Sequence, residues 1–250
     1  MFALALAFAL IIGLALGMLG GGGSILTVPV LVYVLGIEPK LAIAMSFPIV
    51  GLTSAFGAWR HWRLGNVRLE RALLFGGVAM LGAFAGGRIA RLLDPRVQLA
   101  ILGIAMAAAA VSMLRSSLRA PDESPAANIH PALLYGVGLA VGVLTGIVGI
   151  GGGFLIVPAL VILGGVAMRQ AVGTSLLVIA MNCVAGYAGQ AGNTIVDWRF
   201  VATFSAVAIC GLLAGTALLR FVKQNALKRG FAVLLLLIAA LVLWNNRSLL

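Results

Sequence analysis

Apolar segments, most of them close to twenty residues long, follow one another along almost the whole of this chain, and they leave few folds open to it. A helix needs about 20 apolar residues to cross a hydrocarbon layer of about 30 Å. Polar side chains that could cover so much apolar surface in water are missing. Of the 250 residues, 62% are hydrophobic and 9% charged, whereas soluble domains carry roughly a quarter charged. Lipid must supply the cover, and the expected fold class is an all-α integral membrane protein. No extramembrane domain fits between the segments.

The formal net charge of +11 does not point to nucleic acid. The basic residues lie singly or in short groups at the ends of apolar segments, with neither a basic helix nor interleaved aromatics, which is the placement of membrane-interface anchors. His61, between Arg60, Trp62 and Arg63, reads as one of these anchors. An excess of cations over acids also suits anionic cargo. Cys183 and Cys210 sit inside apolar segments without metal-ligand spacing and read as packing residues. The N-terminus has no basic signal-peptide region, so it reads as mature protein, with a removed signal as the alternative.

The chain repeats itself. A shift of 129 residues aligns Gly13 to Arg91 with Gly142 to Arg220 without a gap, giving 22 identities in 79 positions. Composition alone would give roughly one in ten, so the reading is internal duplication. The expected domains are a first transmembrane repeat, 1–114, a linker, 115–131, and a second repeat, 132–250. Pro121, Asp122, Glu123, Ser124 and Pro125 give that linker its solvated character. Each repeat has five apolar segments, at about 3–19, 24–36, 40–60, 70–92 and 96–114, then 132–148, 154–167, 170–190, 198–221 and 228–245. The second of each five is too short to span comfortably at about 1.5 Å per residue.

If the first two segments of each repeat form a Gly-broken re-entrant pair, three crossing helices remain, and an odd number inverts the second repeat. That topology places eleven basic residues inside and six outside, against ten and seven for parallel repeats, so the inverted arrangement is preferred. The accompanying expectation is that the termini lie on opposite faces, with the N-terminus outside.

Two glycine strings stand out: Gly20, Gly21, Gly22, Gly23 and Ser24 before Val28-Pro29, and Gly149, Ile150, Gly151, Gly152 and Gly153 before Val157-Pro158. Glycine costs a helix about 1 kcal/mol relative to alanine, so the backbone is expected to open at both places. Open backbone inside a bilayer must be satisfied by protein, water or ligand. A helix restarting there, at about Ser24 and Phe154, presents free N–H groups and a positive dipole end, which suit an oxyanion. Close helix packing is the other use of glycine, and it is the reading preferred for Gly13/Gly17, Gly82/Gly86, Gly142/Gly146 and Gly211/Gly215. Neither string completes a dinucleotide or ATP motif.

Embedded polar residues extend the candidate substrate site. Ser46 and Thr53 lie on one long segment, and Ser175 and Asn182 are their equivalents on the other. The hydroxyls could instead bond their own helix carbonyls, but the amide of Asn182 needs partners in a dry interior. Pro48 is expected to kink its helix. Glu38, Glu70, Asp94, Asp122, Glu123 and Asp197 all fall at ends or in loops, so a carboxylate proton relay has no candidate. Coupling through the cargo's own protonation or through the membrane potential is the remaining expectation.

The paired G-x-G-G-G-x-x-x-V-P pattern, the four-residue-spaced glycines before it and the Ala-x-x-x-Ser stretch after it resemble the TauE/SafE family of sulfite exporters, also called the TSUP anion permeases. The first copy departs from the pattern with Gly21 and Ser24 where the second has Ile150 and Gly153. The resemblance spans essentially the whole chain. It implies a secondary carrier that moves sulfite, sulfonates or related sulfur-containing organic anions across the bacterial inner membrane, with a small anion and membrane lipid as its partners. A passive anion channel is the alternative. An enzyme has no motif here, since HExxH, GxSxG and paired membrane carboxylates are all missing from the sequence. The residues expected to hold the anion are Gly20, Gly22, Gly23, Ser24, Ser46, Thr53, Gly149, Gly151, Gly152, Gly153, Phe154, Ser175 and Asn182. No metal, cofactor or nucleic acid is expected, and the sequence leaves the oligomeric state open.

Overall fold

A computed structural model describes residues 2–118, 131–149, 151–162, 166, 168–190, 196–218 and 224–245. The linker residues Pro121 to Pro125, together with Ile150, lie outside the described residues. Regular structure among the described residues is helical throughout: α1 (Phe2–Leu19), α2 (Thr27–Pro29), α3 (Pro39–Arg63), α4 (Leu69–Leu92), α5 (Pro95–Leu118), α6 (Pro131–Val148), α7 (Gly153–Ile162), α8 (Met168–Gln190), α9 (Trp198–Leu218) and α10 (Gln224–Asn245). A 3-10 turn, Gly20–Leu26, leads into α2, and a π turn, Val30–Val34, follows it. Pro48 leaves α3 continuous. Five of these helices are long and apolar enough to cross a membrane. Large apolar side chains point outward from them, with Leu81 and Leu92 prominent among them, as lipid contact requires.

Local chemistry sets the helix ends. Asp94 Oδ1 accepts the N–H of Arg96 at 2.8 Å, and Asp197 Oδ1 accepts those of Arg199 and Phe200 at 2.9 and 3.1 Å. Two of the few acids are therefore N-caps, which satisfy amides that a helix start leaves free. At the other end of α3, Gly65 takes a φ of 72° while its N–H reaches the carbonyl of Trp62 at 2.9 Å, and the chain turns tightly into α4.

The glycines at four-residue spacing are the points where main chains touch. Without a side chain at Gly13, the carbonyl of Ala208 on α9 approaches α1 directly, and Gly17 does the same against Leu212. Gly142 meets the carbonyl of Ala79, and Gly146 that of Ala83, so α6 lies on α4 in the same way. The second pair of contacts is the first with 129 added to one partner and subtracted from the other. Gly82 on Leu139 and Gly211 on Leu10 obey the same exchange, as do Gly86 on Val143 and Gly215 on Leu14. Helices in lipid gain little from hydrophobicity, because the tails are as apolar as leucine; close backbone approach supplies dispersion instead.

Contact order fixes the directions of the helices. Gly57 of α3 lies by Leu176 of α8, Gly51 by Cys183, and Phe47 by Gly186, so α3 and α8 run antiparallel. Gly76 lies by Val178 and Met181, and Gly87 by Gly186 and Gln190, so α4 runs along α8. α1 runs with α9, whose Leu212 shares a level with Leu176 beside Gly57. Between α1 and α3 the chain reverses inside the bundle, because Gly23 packs back on Ile12, Ala15 and Leu16.

The start of α5 lies against the end of α10, through Gly103 on Val242 and Leu243. Residues Phe2 and Asn245 therefore lie at the same end of the bundle, and the expectation of termini on opposite faces is corrected. The expected three crossings in each half would make six, an even number, and an even number returns the chain to its starting side. Topology reporters fused to either terminus are expected to give the same side; opposite signals would contradict this helix order.

Candidate functional site

The two glycine strings fold differently. In the second, Gly149, Gly151 and Gly152 all have positive φ, at 79°, 68° and 69°, and α6 and α7 are separated by an open turn. Gly149 donates to Thr145 O at 2.9 Å. Beyond it, the next amide of this stretch with a carbonyl partner among the described residues is that of Leu155, on Gly152 at 3.0 Å. The first string does not open as expected. It winds as the 3-10 turn, with positive φ at Gly20 alone (66°), because four glycines tolerate the tighter i to i+3 bonding and a helix follows directly.

Both breaks lie well inside the bundle. Gly20 packs on Val172 and Ser175, two turns into α8, and Gly149 packs on Ile43 and Ser46, two turns into α3. Two turns correspond to roughly 10 Å of depth. The breaks meet at Gly21 and Gly153, backbone against backbone, with each Cα filling the space that a methyl on the other would need. Gly151 lies between Ile179, Val50 and Cys183, and Gly152 lies by Thr145. The amides near the start of α7, where its dipole is positive, thus face the first break in this closed arrangement.

Most of the expected hydroxyls are already spent. Ser24 donates to Gly21 O at 2.7 Å, Thr53 to Ile49 O at 2.7 Å and Ser175 to Val172 O at 2.8 Å. The Ser46 hydroxyl lies 2.6 Å from Ile43 O and also contacts the carbonyl of Gly149, so it ties α3 to the second break. Ser46 and Ser175 are not brought together. The α3/α8 crossing is centred near Leu52 and Met181, and each serine lies six residues from it on opposite sides, roughly 18 Å apart along the helices.

Asn182 is different. It is fully buried, and neither its Oδ1 nor its Nδ2 has a partner. It lies one residue from the centre of the crossing and one turn beyond Ile179, whose side chain meets Gly151 and Gly153. Among the described residues no Asp, Glu, Lys or Arg is buried, so the surroundings of this amide carry no fixed ion.

Three more buried polar groups on α3 and α8 have unpartnered atoms: Ser54 Oγ, both ring nitrogens of His61, and Gln190 Oε1. None of them belongs to the expected site. His61 is 3% exposed and lies against Gly173 rather than at the lipid interface, which corrects its reading as an anchor, while its neighbour Trp62 faces outward. Ser54 and Gln190 are legible in the sequence as membrane-embedded polar residues, and the signal for His61 was available too, since it lies 129 residues before Gln190 and both are polar positions in apolar helices. At the end of the bundle near His61, a cavity of about 540 Å³ is lined by Arg68, Glu70, Arg71 and Gln170, with Arg68 Nε donating to Gln170 Oε1 at 2.9 Å.

The family described as sulfite exporter TauE/SafE matches residues 5–242. A "Probable membrane transporter protein" of Xylella fastidiosa strain 9a5c is 35% identical over 245 residues, covering 94% of this chain and 92% of the relative. The "Probable membrane transporter protein YdhB" of Bacillus subtilis is 28% identical over 222 residues, covering 87% and 90%. The "Probable membrane transporter protein MJ0441" of Methanocaldococcus jannaschii is 28% identical over 195 residues, covering 74% and 72%. No solved structure matches the chain.

Proposed function

Because the chain belongs to the TauE/SafE family of sulfite exporters, a multi-pass membrane transporter family, we propose that it is a secondary carrier for sulfite, sulfonates or related small sulfur-containing organic anions across the bacterial inner membrane. The observation that carries this reading is Asn182: a fully buried amide, unpartnered at both atoms, beside the level where α3 and α8 cross and one turn from Ile179, whose side chain meets Gly151 of the second break. Leaving such a group unpaired costs about 1–3 kcal/mol. Evolution retains that cost where a ligand removes it.

The two halves, 1–114 and 132–250, act as inverted repeats about an axis in the membrane plane, each with a re-entrant pair and three crossings. The antiparallel α3/α8 pair and the contacts that exchange under a shift of 129 support this arrangement. In the cycle proposed, the anion enters between the breaks when the contact of Gly21 with Gly153 separates. Backbone amides of Gly151 to Phe154 and the Asn182 side chain hold its oxygens, and one half rocks against the other. Dipoles rather than a fixed charge do the holding, so release toward the far side stays cheap. With no carboxylate buried among the described residues, coupling falls to the cargo's own proton or to the membrane potential.

In proteoliposomes, labelled sulfite is expected to exchange with saturation and to be accelerated by unlabelled sulfite on the far side. Sulfite or a sulfonate, and not chloride, is expected to protect the purified protein against heat. A flux that rises linearly with concentration and shows no counterflow would replace the carrier by a pore.

A further inference from the structure

The seam between α3 and α8 holds more than a binding residue. Taken in order of depth from one end of the bundle to the other, it presents Gln190, then the Phe47 ring against Gly186, then Asn182 and Ser54 at the centre, then the Leu176 side chain against Gly57, then His61. The polar members are all at least nine-tenths buried, and each has an unpartnered atom. By the pairing of Gly57 with Leu176 and of Phe47 with Gly186, Gln190 is level with residue 43, so the row runs for 18 residues of helix, about 27 Å. That is close to the thickness of a hydrocarbon core of about 30 Å.

Two fully buried apolar side chains interrupt the row. They are the same position in the two halves, 47 and 176, and each rests on the same glycine of the opposite half, 186 and 57. A methyl at Gly186 would come within 2.5 Å of Phe47 Cε1, and one at Gly57 within 3.0 Å of Leu176 Cδ1, so both seats depend on a missing side chain. An unpartnered polar row makes no sense in a seam that stays dry, because such groups hold their place only where water or solute reaches them.

We propose that this seam is the translocation route, and that Phe47 and Leu176 are its two gates, one on each side of Asn182. Resting on the carrier reading above, this assigns the present conformation as occluded, with both gates seated. Lifting Phe47 from Gly186 connects the centre to the Gln190 end, and lifting Leu176 from Gly57 connects it to the His61 end.

The protein carries its own reporter. Cys183 is buried in the seam and is the second-half equivalent of Ser54, and Cys210 is exposed on α9. In a Cys210→Ser background, Cys183 would be treated with a charged, membrane-impermeant methanethiosulfonate applied from either side of sealed vesicles. Phe47→Ala is expected to raise labelling at least tenfold from the Gln190 side only, and Leu176→Ala from the His61 side only. Gly186→Ala, which unseats Phe47 without removing it, should reproduce the first pattern. A cysteine introduced by Ala79→Cys, in the dry contact of α4 with α6, should stay unlabelled in every variant. Unchanged labelling, labelling from both sides in a single variant, or equal labelling of the position 79 control would overturn the gates. The readout needs no anion, so one-sided labelling without sulfite exchange would remove the cargo and leave the gates. Saturable exchange without one-sided labelling would do the reverse.

Discussion

Asn182→Leu is expected to cripple anion exchange and at the same time to raise the melting temperature of the purified protein. Both effects come from one amide. Its buried oxygen and nitrogen have no partner, and a leucine, with the same branched heavy-atom skeleton, removes a desolvation cost of about 1–3 kcal/mol. A hydrogen bond to an anion contributes about 1.5–3 kcal/mol, so its loss corresponds to roughly a 10- to 100-fold drop in affinity. Most destabilising substitutions in transporters lower activity through lost protein, and the opposite signs separate this variant from them. Thermal melts and counterflow on the same preparation check it. A variant that melts lower and still exchanges sulfite at the normal rate would take Asn182 out of the site.

Gly151→Val is expected to abolish exchange, whereas Gly65→Val is expected to leave it largely intact. The two glycines have nearly the same backbone, with φ of 68° and 72°, so a side chain meets the same left-handed strain, about 1–3 kcal/mol, at either place. Their surroundings differ. Nothing lies within 4 Å of a methyl at Gly65, while one at Gly151 would meet Ile179 Cγ2 at 2.6 Å and Val50 Cγ1 at 3.1 Å. Overpacking adds about 1–3 kcal/mol and pushes the second break away from α8, moving the amides at the start of α7. Neither change lowers the hydropathy that directs insertion, so both variants should reach the membrane fraction. Equal loss of exchange in the two would mean that strain alone, and not the seat against α3 and α8, governs this position.

The long helices were legible because lipid imposes a simple rule, about twenty apolar residues for each crossing, and α3, α4, α8 and α9 obey it. The packing glycines were legible from their spacing, and the depth of the breaks from the short segments that follow them. What resisted reading was anything set by partners distant in sequence. The first glycine string was expected to open, yet it winds as a 3-10 turn, because Gly23 can lie flat on Ile12 and Leu16. Ser46 looked like an anion donor, but its hydroxyl is drawn to Gly149, 103 residues away. Asn182 was singled out by its chemistry alone, as an amide in an apolar segment, and its amide is indeed buried without a partner. His61 was misread because its flanking arginines and Trp62 look outward while the imidazole turns in, and only the packing of Gly173 reveals that.

The crossed pairing of α1 with α9 also bears on how the chain is made. Gly13 leaves the ribosome early, yet the carbonyl it rests on belongs to Ala208, 195 residues later. At roughly 5–20 residues per second, α1 waits on the order of 10–40 seconds for its partner. During that interval its bare glycine face must be shielded by lipid or by the insertion machinery, and neither half of the chain can complete its own packing alone. Assembly of this bundle is therefore a late event, one that closes only when the ninth helix arrives.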